Sequence, residues 1–185
     1  MPLFRAPGRV RPRIAFGAPI PARLALEAEL ADIVLTEFVP TWRVREGLAE
    51  HLPDGWRLVD VHDVWLGSPA LAGQVVAADY RIEVAGAEAD ALAAAAADLL
   101  IATELPRERP KGGSTVRYDL RTLLADVGVV DSGPPVVLRV RTRFDPVLGT
   151  GRPEEVVAAL GDALGSPLVV EVLVRERVIL GDEAD

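Results

Sequence analysis

Alternating apolar and polar positions predict four β-strands in the second half of the chain. Over residues 77–86 the apolar side chains of Tyr80 and Val84 lie on one face, and the charged side chains of Asp79 and Glu83 lie on the other. Such alternation is typical of a strand with one buried face and one polar face. The same pattern predicts three further strands, over residues 114–123, 136–144 and 167–180.

Two helices are predicted between these strands. The segment 87–104 is rich in alanine, which has the highest helix propensity, and its first turn carries acidic residues that suit a helix N-terminus. The second helix begins at Pro153, continues with glutamates and ends at Gly165, a good C-cap residue. Residues 77–180 therefore have the order β-α-β-β-α-β, which predicts a split βαβ, or ferredoxin-like, unit with two helices on one face of an antiparallel sheet.

The first part of the chain has the shorter order β-β-α-β. Its predicted elements are a strand over Arg13–Phe16, a strand over residues 26–38, a helix through residues 41–52 and a strand over residues 56–66. A proline–aspartate–glycine turn separates the helix from the last strand. This order equals that of the second part without its opening strand and helix.

The sequence thus predicts an α+β protein made of tandem ferredoxin-like units, the first of them incomplete. A length of 185 residues, half of them hydrophobic, suits one domain or two small subdomains that share a core. We expect an incomplete unit over residues 1–73, a complete unit over residues 74–180 and an acidic tail over residues 181–185.

The absence of cysteine excludes several kinds of chemistry. A chain without thiols forms no disulfide, uses no thiol nucleophile and holds no cysteine-ligated zinc or iron–sulfur cluster. His51 and His62 are the only histidines, so we predict no metal site and no cofactor. No apolar run approaches the roughly 20 residues that cross a bilayer, and Pro12, Pro19 and Pro21 interrupt the region where a signal peptide has its apolar segment. We therefore expect a cytoplasmic protein.

Charge is distributed unevenly along the chain. The first 24 residues contain five arginines and no acid, whereas the formal net charge of the whole chain is −8. An acidic protein can still present a local basic surface. Arg11 and Arg13 belong to the first predicted strand and its entry, and we expect them beside an exposed gap that is filled either by another chain or by residues upstream of the start codon.

Arginines on the predicted strands form the clearest candidate binding surface. If the helices cover one face of the second sheet, the opposite face collects charged side chains from all four strands, with more arginines than acids. Such a face could bind RNA phosphates or an acidic partner, and the alternative is a network of cross-strand acid–arginine pairs. Asp119 suits a structural ion pair better than a general base. The arginines concerned are Arg81, Arg117, Arg121, Arg139, Arg141, Arg143, Arg175 and Arg177.

Two glycine-containing segments are further candidates for anion binding. In GTGRPEE, Arg152 precedes a helix whose free N–H groups could hold an anion, and the alternative is an ordinary capped helix. In ERPKGGSTVRYDLR, the only lysine, Lys111, could form an anion-binding lip with Arg107 and Arg109. The alternative there is a loop, or a tight hairpin at the double glycine.

Several of these segments together resemble one protein family. RPRIAFGAPIP and EAELADIVL, followed by KGG, DLRTLL and RPEEVVAAL, are similar in content and order to segments of the DUF2344 family, the radical SAM-linked proteins. The resemblance implies an accessory role beside radical SAM proteins. It also implies that a strand and a helix precede the point where this chain begins. The matching positions in the later segments are Lys111, Gly112, Asp119, Leu120, Arg121, Leu123, Leu124 and Arg152–Glu155.

Two functions remain as hypotheses. The first is a non-enzymatic accessory module that binds a radical SAM partner protein or RNA through the arginine-rich sheet face, with a homo-oligomer formed at the exposed edge of the first unit. The second is an RNA-modifying or RNA-processing enzyme with an arginine-lined cleft between the units. The residues do not indicate a catalytic set. The candidate ligand-binding residues are Arg11, Arg13, Lys111, Arg117, Asp119, Arg121, Arg139, Arg141, Arg143 and Arg152.

Overall fold

The structure, a computed structural model, describes residues 13–21 and 24–181, apart from the side chains of Pro110 and Lys111. The strands are β1 (Ile14–Phe16), β2 (Ala25–Leu26), β3 (Ala31–Ile33), β4 (Val75–Ala85), β5 (Pro106–Lys111), β6 (Ser114–Asp119), β7 (Leu124–Asp131), β8 (Val136–Asp145), β9 (Gly149–Thr150) and β10 (Val169–Leu180). The helices are α1 (Thr41–Ala49), α2 (Leu71–Gln74), α3 (Ala89–Ile101), α4 (Leu120–Leu123) and α5 (Pro153–Leu164).

These elements belong to two compact units. The first unit is built from the described residues up to Pro19 and from Ala28–Gln74. The second is built from the described residues of Ile20–Glu27 and of the chain from Val75 onward. The second unit therefore contains all the long strands and the two longest helices.

The large sheet of the protein lies in the second unit. Its strands have the order β2-β10-β4-β8-β7, and the short β9 pairs with β8. The four long strands pair antiparallel, whereas β2 pairs with β10 in parallel. Together with α3 and α5 these long strands follow the order β-α-β-β-α-β along the chain, which is that of a split βαβ unit. The predicted α+β class with antiparallel sheets is confirmed.

The core of the second unit lies between one face of this sheet and the helices α3 and α5. Alternation on β4 turns Ile82 and Val84 toward the helices, and both are fully buried. Leu92 of α3 and Leu160 of α5 are buried just as completely. Removing such a side chain from water contributes about 1.5–3 kcal/mol, so this layer holds the unit together. Other fully buried apolar side chains of the unit are Leu120, Leu123, Leu124, Leu138, Val140 and Val156.

The strand predicted over residues 114–123 does not join the large sheet. Its first six residues form β6, which pairs only with β5 in a separate hairpin, and the remainder forms α4. The place beside β8 is taken by β7, a strand that the pattern did not predict. Alternation indicates an extended segment with two different faces. Which sheet it joins depends on pairing with strands distant in sequence, and a single segment carries no information on that pairing.

The first unit contains fewer strand residues than predicted. β1 and β3 form a short antiparallel pair in which Ile14 lies opposite Ile33, and α1 follows where a helix is predicted. Within residues 26–38 only Ala31–Ile33 belong to a strand of this unit. The predicted strand is thus reduced to a short piece.

The segment 56–66 contains no helix or strand, although its sequence alternates. Trp65 and Leu66 near its end are 79% and 95% exposed. Alternation is not sufficient for a strand, because the backbone donors and acceptors also need a neighbouring strand. The predicted tandem of ferredoxin-like units is therefore not confirmed.

Candidate functional site

The face of the large sheet opposite α3 and α5 carries charged residues, and Asp79 lies at their centre. Arg141 donates from Nε to Oδ1 of Asp79 at 2.7 Å and from Nη2 to Oδ2 at 3.0 Å. Arg177 donates from Nε to Oδ2 of the same carboxylate at 2.9 Å. Asp79 is only 4% exposed, so both arginines hold a buried carboxylate in place.

Hydrogen bonding decides the protonation of this carboxylate. Burial alone raises the pKa of a carboxyl group, but the hydrogen bonds from Arg141 and Arg177 outweigh burial and hold the pKa of Asp79 below its ordinary 3.8. The same contact raises the pKa of Arg141. Asp79 is therefore an ionised structural partner of the two guanidinium groups at neutral pH.

A second group of ion pairs lies on the same face, around Arg81 and Glu176. Arg81 lies 3.0 Å from Glu27, 2.8 Å from Glu83 and 3.6 Å from Glu176, and Arg139 lies 3.5 Å from Glu176. We name this network the ion-pair lattice. Its members are four arginines and four carboxylates, namely Arg81, Arg139, Arg141, Arg177, Glu27, Asp79, Glu83 and Glu176.

The predicted excess of arginines on this face is wrong. Arg175 lies on the opposite face, 2% exposed and paired with Tyr80, because the register between β10 and β4 shifts after Arg175. Arg143 uses Nη1 to donate to the main-chain oxygen of Leu124 at 2.8 Å, and Arg121 donates to the same oxygen at 2.9 Å. The face therefore matches the alternative of cross-strand acid–arginine pairs.

The hairpin of β5 and β6 is a second arginine-rich region. Lys111 and Ser114 pair at its end, and both glycines between them have positive φ, 57° at Gly112 and 85° at Gly113. This backbone geometry is that of a two-residue hairpin turn, and it requires residues that tolerate positive φ. The double glycine therefore makes a tight hairpin, as one alternative predicted.

A cavity of about 350 Å³ lies between this hairpin and α5. Pro106, Arg107, Glu108 and Arg117 line it from the hairpin, and Glu155 lines it from the first turn of α5. We name this cavity the hairpin pocket. It brings residues of two separate chain segments to one concave surface.

Two arginines of the hairpin pocket have carboxylate partners. Arg107 donates from Nη1 to Oδ2 of Asp162 on α5 at 2.5 Å. Arg117 donates from Nε to Oε1 of Glu108, the residue opposite it in the hairpin, at 2.6 Å. The Arg117 side chain is 86% exposed, so this second pair is a surface contact.

Arg109 links the hairpin to the loop before α5. Its guanidinium carbon lies 5.0 Å from the centre of the Tyr118 ring, within the range of a cation–π contact. Its Nη2 atom lies 3.3 Å from the position that a Cβ atom on Gly149 would occupy. Gly149 has a φ of 98°, so a side chain there would be strained as well as crowded.

The hydroxyl of Tyr118 lies close to the charged groups of this region. Its oxygen is buried and has no hydrogen-bond partner among the described residues. Burial raises the pKa of Tyr118 above its ordinary 10.0, and the Glu155 carboxylate adds to the increase, whereas Arg109, Arg152 and Arg107 oppose it. The hydroxyl is therefore influenced by charges from both predicted anion-binding segments, the one with Arg107 and Arg109 and the GTGRPEE segment with Arg152 and Glu155.

The remaining predicted residues have other places. Asp119 accepts hydrogen bonds from the backbone N–H groups of Leu105 at 2.7 Å and of Arg121 at 2.9 Å, so it caps the short α4. It forms no ion pair with an arginine side chain of the described residues. Arg13 is exposed in the first unit, where its backbone oxygen accepts from the N–H of Val34. Arg11 and the side chain of Lys111 lie outside the described residues.

The sequence interpretation missed Tyr118, Glu108 and Glu155 as members of a site. Alternation assigned Tyr118 to a buried face, which is correct for its hydroxyl but gives no indication of the charges nearby. The available signal was the double glycine, because a tight turn there places Glu108 opposite Arg117. The contact with α5 has no local signal.

Among residues 13–21 and 24–181, no helix is long and apolar enough to cross a membrane. In the same part of the chain, no group of three or more His, Cys, Asp or Glu residues is arranged to hold a metal ion.

The second unit is thus an α+β sheet domain with an ion-pair lattice on one face and an arginine-lined pocket beside α5. The family model described as "Uncharacterized protein conserved in bacteria (DUF2344)" matches residues 10–155, most of the chain. The chain belongs to the DUF2344 family. No curated protein and no solved structure matches the sequence.

Proposed function

We propose that this DUF2344 protein is an accessory binding module and that it binds RNA at the hairpin pocket. The observation that carries the proposal is a cavity with Arg107 and Arg117 on its wall, together with Arg109 in the same hairpin and Arg152 at the N-cap of α5, on a chain with a net charge of −8. A cluster of arginines is the usual recognition device for phosphate groups.

The pairing of the arginines favours this region over the sheet face. Arg109 and Arg152 make no ion pair with a carboxylate of the described residues, so a ligand phosphate does not have to displace one. Each arginine of the ion-pair lattice already has a carboxylate within 3.6 Å. Binding there would cost existing contacts, which makes the sheet face the weaker candidate.

A radical SAM protein, suggested by the family resemblance, is the alternative partner. RNA is favoured because phosphates accept paired hydrogen bonds from guanidinium groups, and because guanidinium planes also stack on unpaired bases. An acidic surface of a partner protein would contact the same arginines. Association of two copies at the edge of the first unit remains a prediction.

The test is binding of a short single-stranded RNA, measured by fluorescence anisotropy during a salt titration. The variant Arg109→Ala/Arg152→Ala is compared with Arg139→Ala/Arg177→Ala, which removes the same charge from the ion-pair lattice. We expect the first variant to lose about tenfold or more in affinity. The slope of the logarithm of its binding constant against the logarithm of the salt concentration should become shallower by about 0.7 for each phosphate contact removed. The second variant should stay within about twofold of the wild type.

Two outcomes contradict the proposal. An equal loss in both variants would mean that net charge alone attracts RNA, without a site. If the wild type shows no RNA binding even at low salt, a pulldown with a radical SAM protein from the same source becomes the decisive measurement, and loss of capture in Arg109→Ala/Arg152→Ala would indicate a protein partner. Circular dichroism of each variant confirms that it is folded.

A further inference from the structure

The Tyr118 hydroxyl is a buried donor that finds no acceptor in the described part of the chain. Buried polar groups in proteins nearly always form hydrogen bonds, so each exception needs a physical reason. Here Tyr118 lies directly opposite Arg107 in the hairpin, and Arg107 is on the wall of the hairpin pocket. A ligand with acceptor oxygens would supply the missing partner.

The paired arginines still have donors for such a ligand. A guanidinium group carries five N–H donors, and Arg107 uses Nη1 on Asp162 while Arg117 uses Nε on Glu108. These ion pairs hold the two side chains at the cavity and leave further N–H groups for another acceptor. Together with Arg109 and Arg152 they favour an anion with several oxygens.

The shape of the site selects the kind of anion. A continuous nucleic-acid strand passes over a groove or an open surface, whereas a cavity with walls from both the hairpin and α5 takes a group at a chain end. A terminal phosphate monoester fits this description, because it carries a charge of about −1.5 to −2 at neutral pH and three acceptor oxygens. A phosphodiester within a strand carries one charge and two free oxygens.

The geometry points to the hairpin pocket as a seat for a terminal phosphate of RNA, with the Tyr118 hydroxyl as one of the donors. This inference rests on the proposed function of RNA binding at the same site and narrows that function to the end of a strand. Arg107, Arg109, Arg117 and Arg152 neutralise the phosphate charge.

A substitution of Glu155 is expected to change the affinity for a terminal phosphate in the direction opposite to that of Tyr118→Phe. Its carboxylate lines the pocket and raises the pKa of Tyr118, so it lies where it would repel a bound phosphate. Replacing it with glutamine removes the repulsion and keeps the size of the side chain. Glu155→Gln should therefore bind a terminal phosphate more tightly, whereas Tyr118→Phe should bind it more weakly.

The experiment compares three RNAs of one sequence, with a 5′-phosphate, a 3′-phosphate or two hydroxyl ends. For the wild type we expect about tenfold tighter binding of one phosphorylated RNA. Tyr118→Phe should remove most of this preference and leave the salt dependence of binding unchanged. Glu155→Gln should increase the preference for the phosphorylated RNA by about threefold or more. Tyr80→Phe is the control, since Tyr80 is the other tyrosine of the chain and is buried on β4 of the large sheet, outside the hairpin. A titration with a nucleoside monophosphate, followed by calorimetry, tests the phosphate site without a strand.

The outcomes separate the two proposals. Equal affinity for all three RNAs overturns the terminal-phosphate site and leaves RNA binding in place. If no RNA binds, but the nucleoside monophosphate binds the wild type and binds Tyr118→Phe at least fivefold more weakly, RNA binding is overturned and the phosphate site stands. If the nucleoside monophosphate also fails to bind, both proposals are overturned.

Discussion

Two regions of the second unit are rich in arginine, and they differ in how the charge is compensated. In the ion-pair lattice each arginine contacts one or more carboxylates on the same face of the large sheet. At the hairpin pocket Arg107 and Arg117 have carboxylate partners, whereas Arg109 and Arg152 have none among the described residues. The lattice is a structural feature, whereas two arginines beside the pocket wall form no ion pair within the described part of the chain.

The difference comes from the geometry of each region. In an antiparallel sheet, side chains of paired residues stand side by side, so Asp79 meets Arg141 and Arg177 through register alone. At the pocket the arginines come from a hairpin and from the residue before a helix, and Tyr118 and Gly149 lie beside Arg109 instead of acids. Strand register compensates charge throughout the centre of the lattice, whereas in the hairpin it pairs Arg117 with Glu108 but places Val116 opposite Arg109.

The largest effect that tests this comparison is expected at the centre of the lattice. Asp79→Ala leaves two guanidinium groups without their carboxylate, and we expect a loss of about 2 kcal/mol in the free energy of unfolding, measured with urea. Glu108→Ala, which removes the exposed partner of Arg117, should change it by about 0.5 kcal/mol or less. Similar losses in both variants would show that the two regions do not differ in structural role.

A smaller effect is expected on the stability contribution of Asp79 when the pH is lowered. The pKa of Asp79 is lowered in the folded protein, so the folded state binds fewer protons than the unfolded state at mildly acidic pH. Its contribution to stability is therefore complete above the ordinary pKa of 3.8 and is lost as the pH falls through the lowered value. Urea unfolding of the wild type and of Asp79→Asn between neutral and strongly acidic pH should show a stability difference that begins to narrow near pH 3.8 and closes as the pH falls through the lowered pKa. A constant difference across the range would contradict the ionised role of Asp79.

The smallest effect concerns the Tyr118 hydroxyl and leaves stability nearly unchanged. Since the Glu155 carboxylate disfavours a phenolate nearby, Glu155→Gln should lower the pKa of Tyr118. The chain has two tyrosines, so absorbance titration of Tyr118→Phe separates the signal of Tyr118 from that of Tyr80. An unchanged Tyr118 titration in Glu155→Gln would place this carboxylate too far away to affect a ligand in the pocket.

Local pattern predicted the elements whose side chains build the core of the second unit. The alternation around Ile82 corresponds to β4, the alanine-rich segment corresponds to α3, and Pro153 and Gly165 mark the start and the C-cap of α5. Each of these signals acts over a few residues, through burial of one face or through the backbone preferences of proline and glycine. For this reason they are visible in a single sequence.

The candidate site was predicted only in pieces. The hairpin lip with Arg107 and Arg109 and the GTGRPEE segment with Arg152 were separate candidates, and the arginine-rich strands were weighed as a third. Nothing in the local pattern indicates that Arg109 lies against Gly149, since the two are distant in sequence. The shift of Arg175 to the buried face depends on a register irregularity between β10 and β4, which alternation does not contain.

The sequence by itself determined the α+β class, the positions of the main helices and of the long strands β4, β8 and β10, the absence of cysteine thiols in this chain and the membership of the chain in its family. The tertiary structure decided that β7 and not β6 completes the large sheet, that the sheet-face arginines are compensated, and that two arginine-bearing segments meet around one cavity. The physical reason is the separation along the chain of the residues that each effect involves. Propensity and alternation are properties of neighbouring residues, whereas strand pairing, charge compensation and the formation of a pocket depend on contacts between residues that the chain brings together only when it folds.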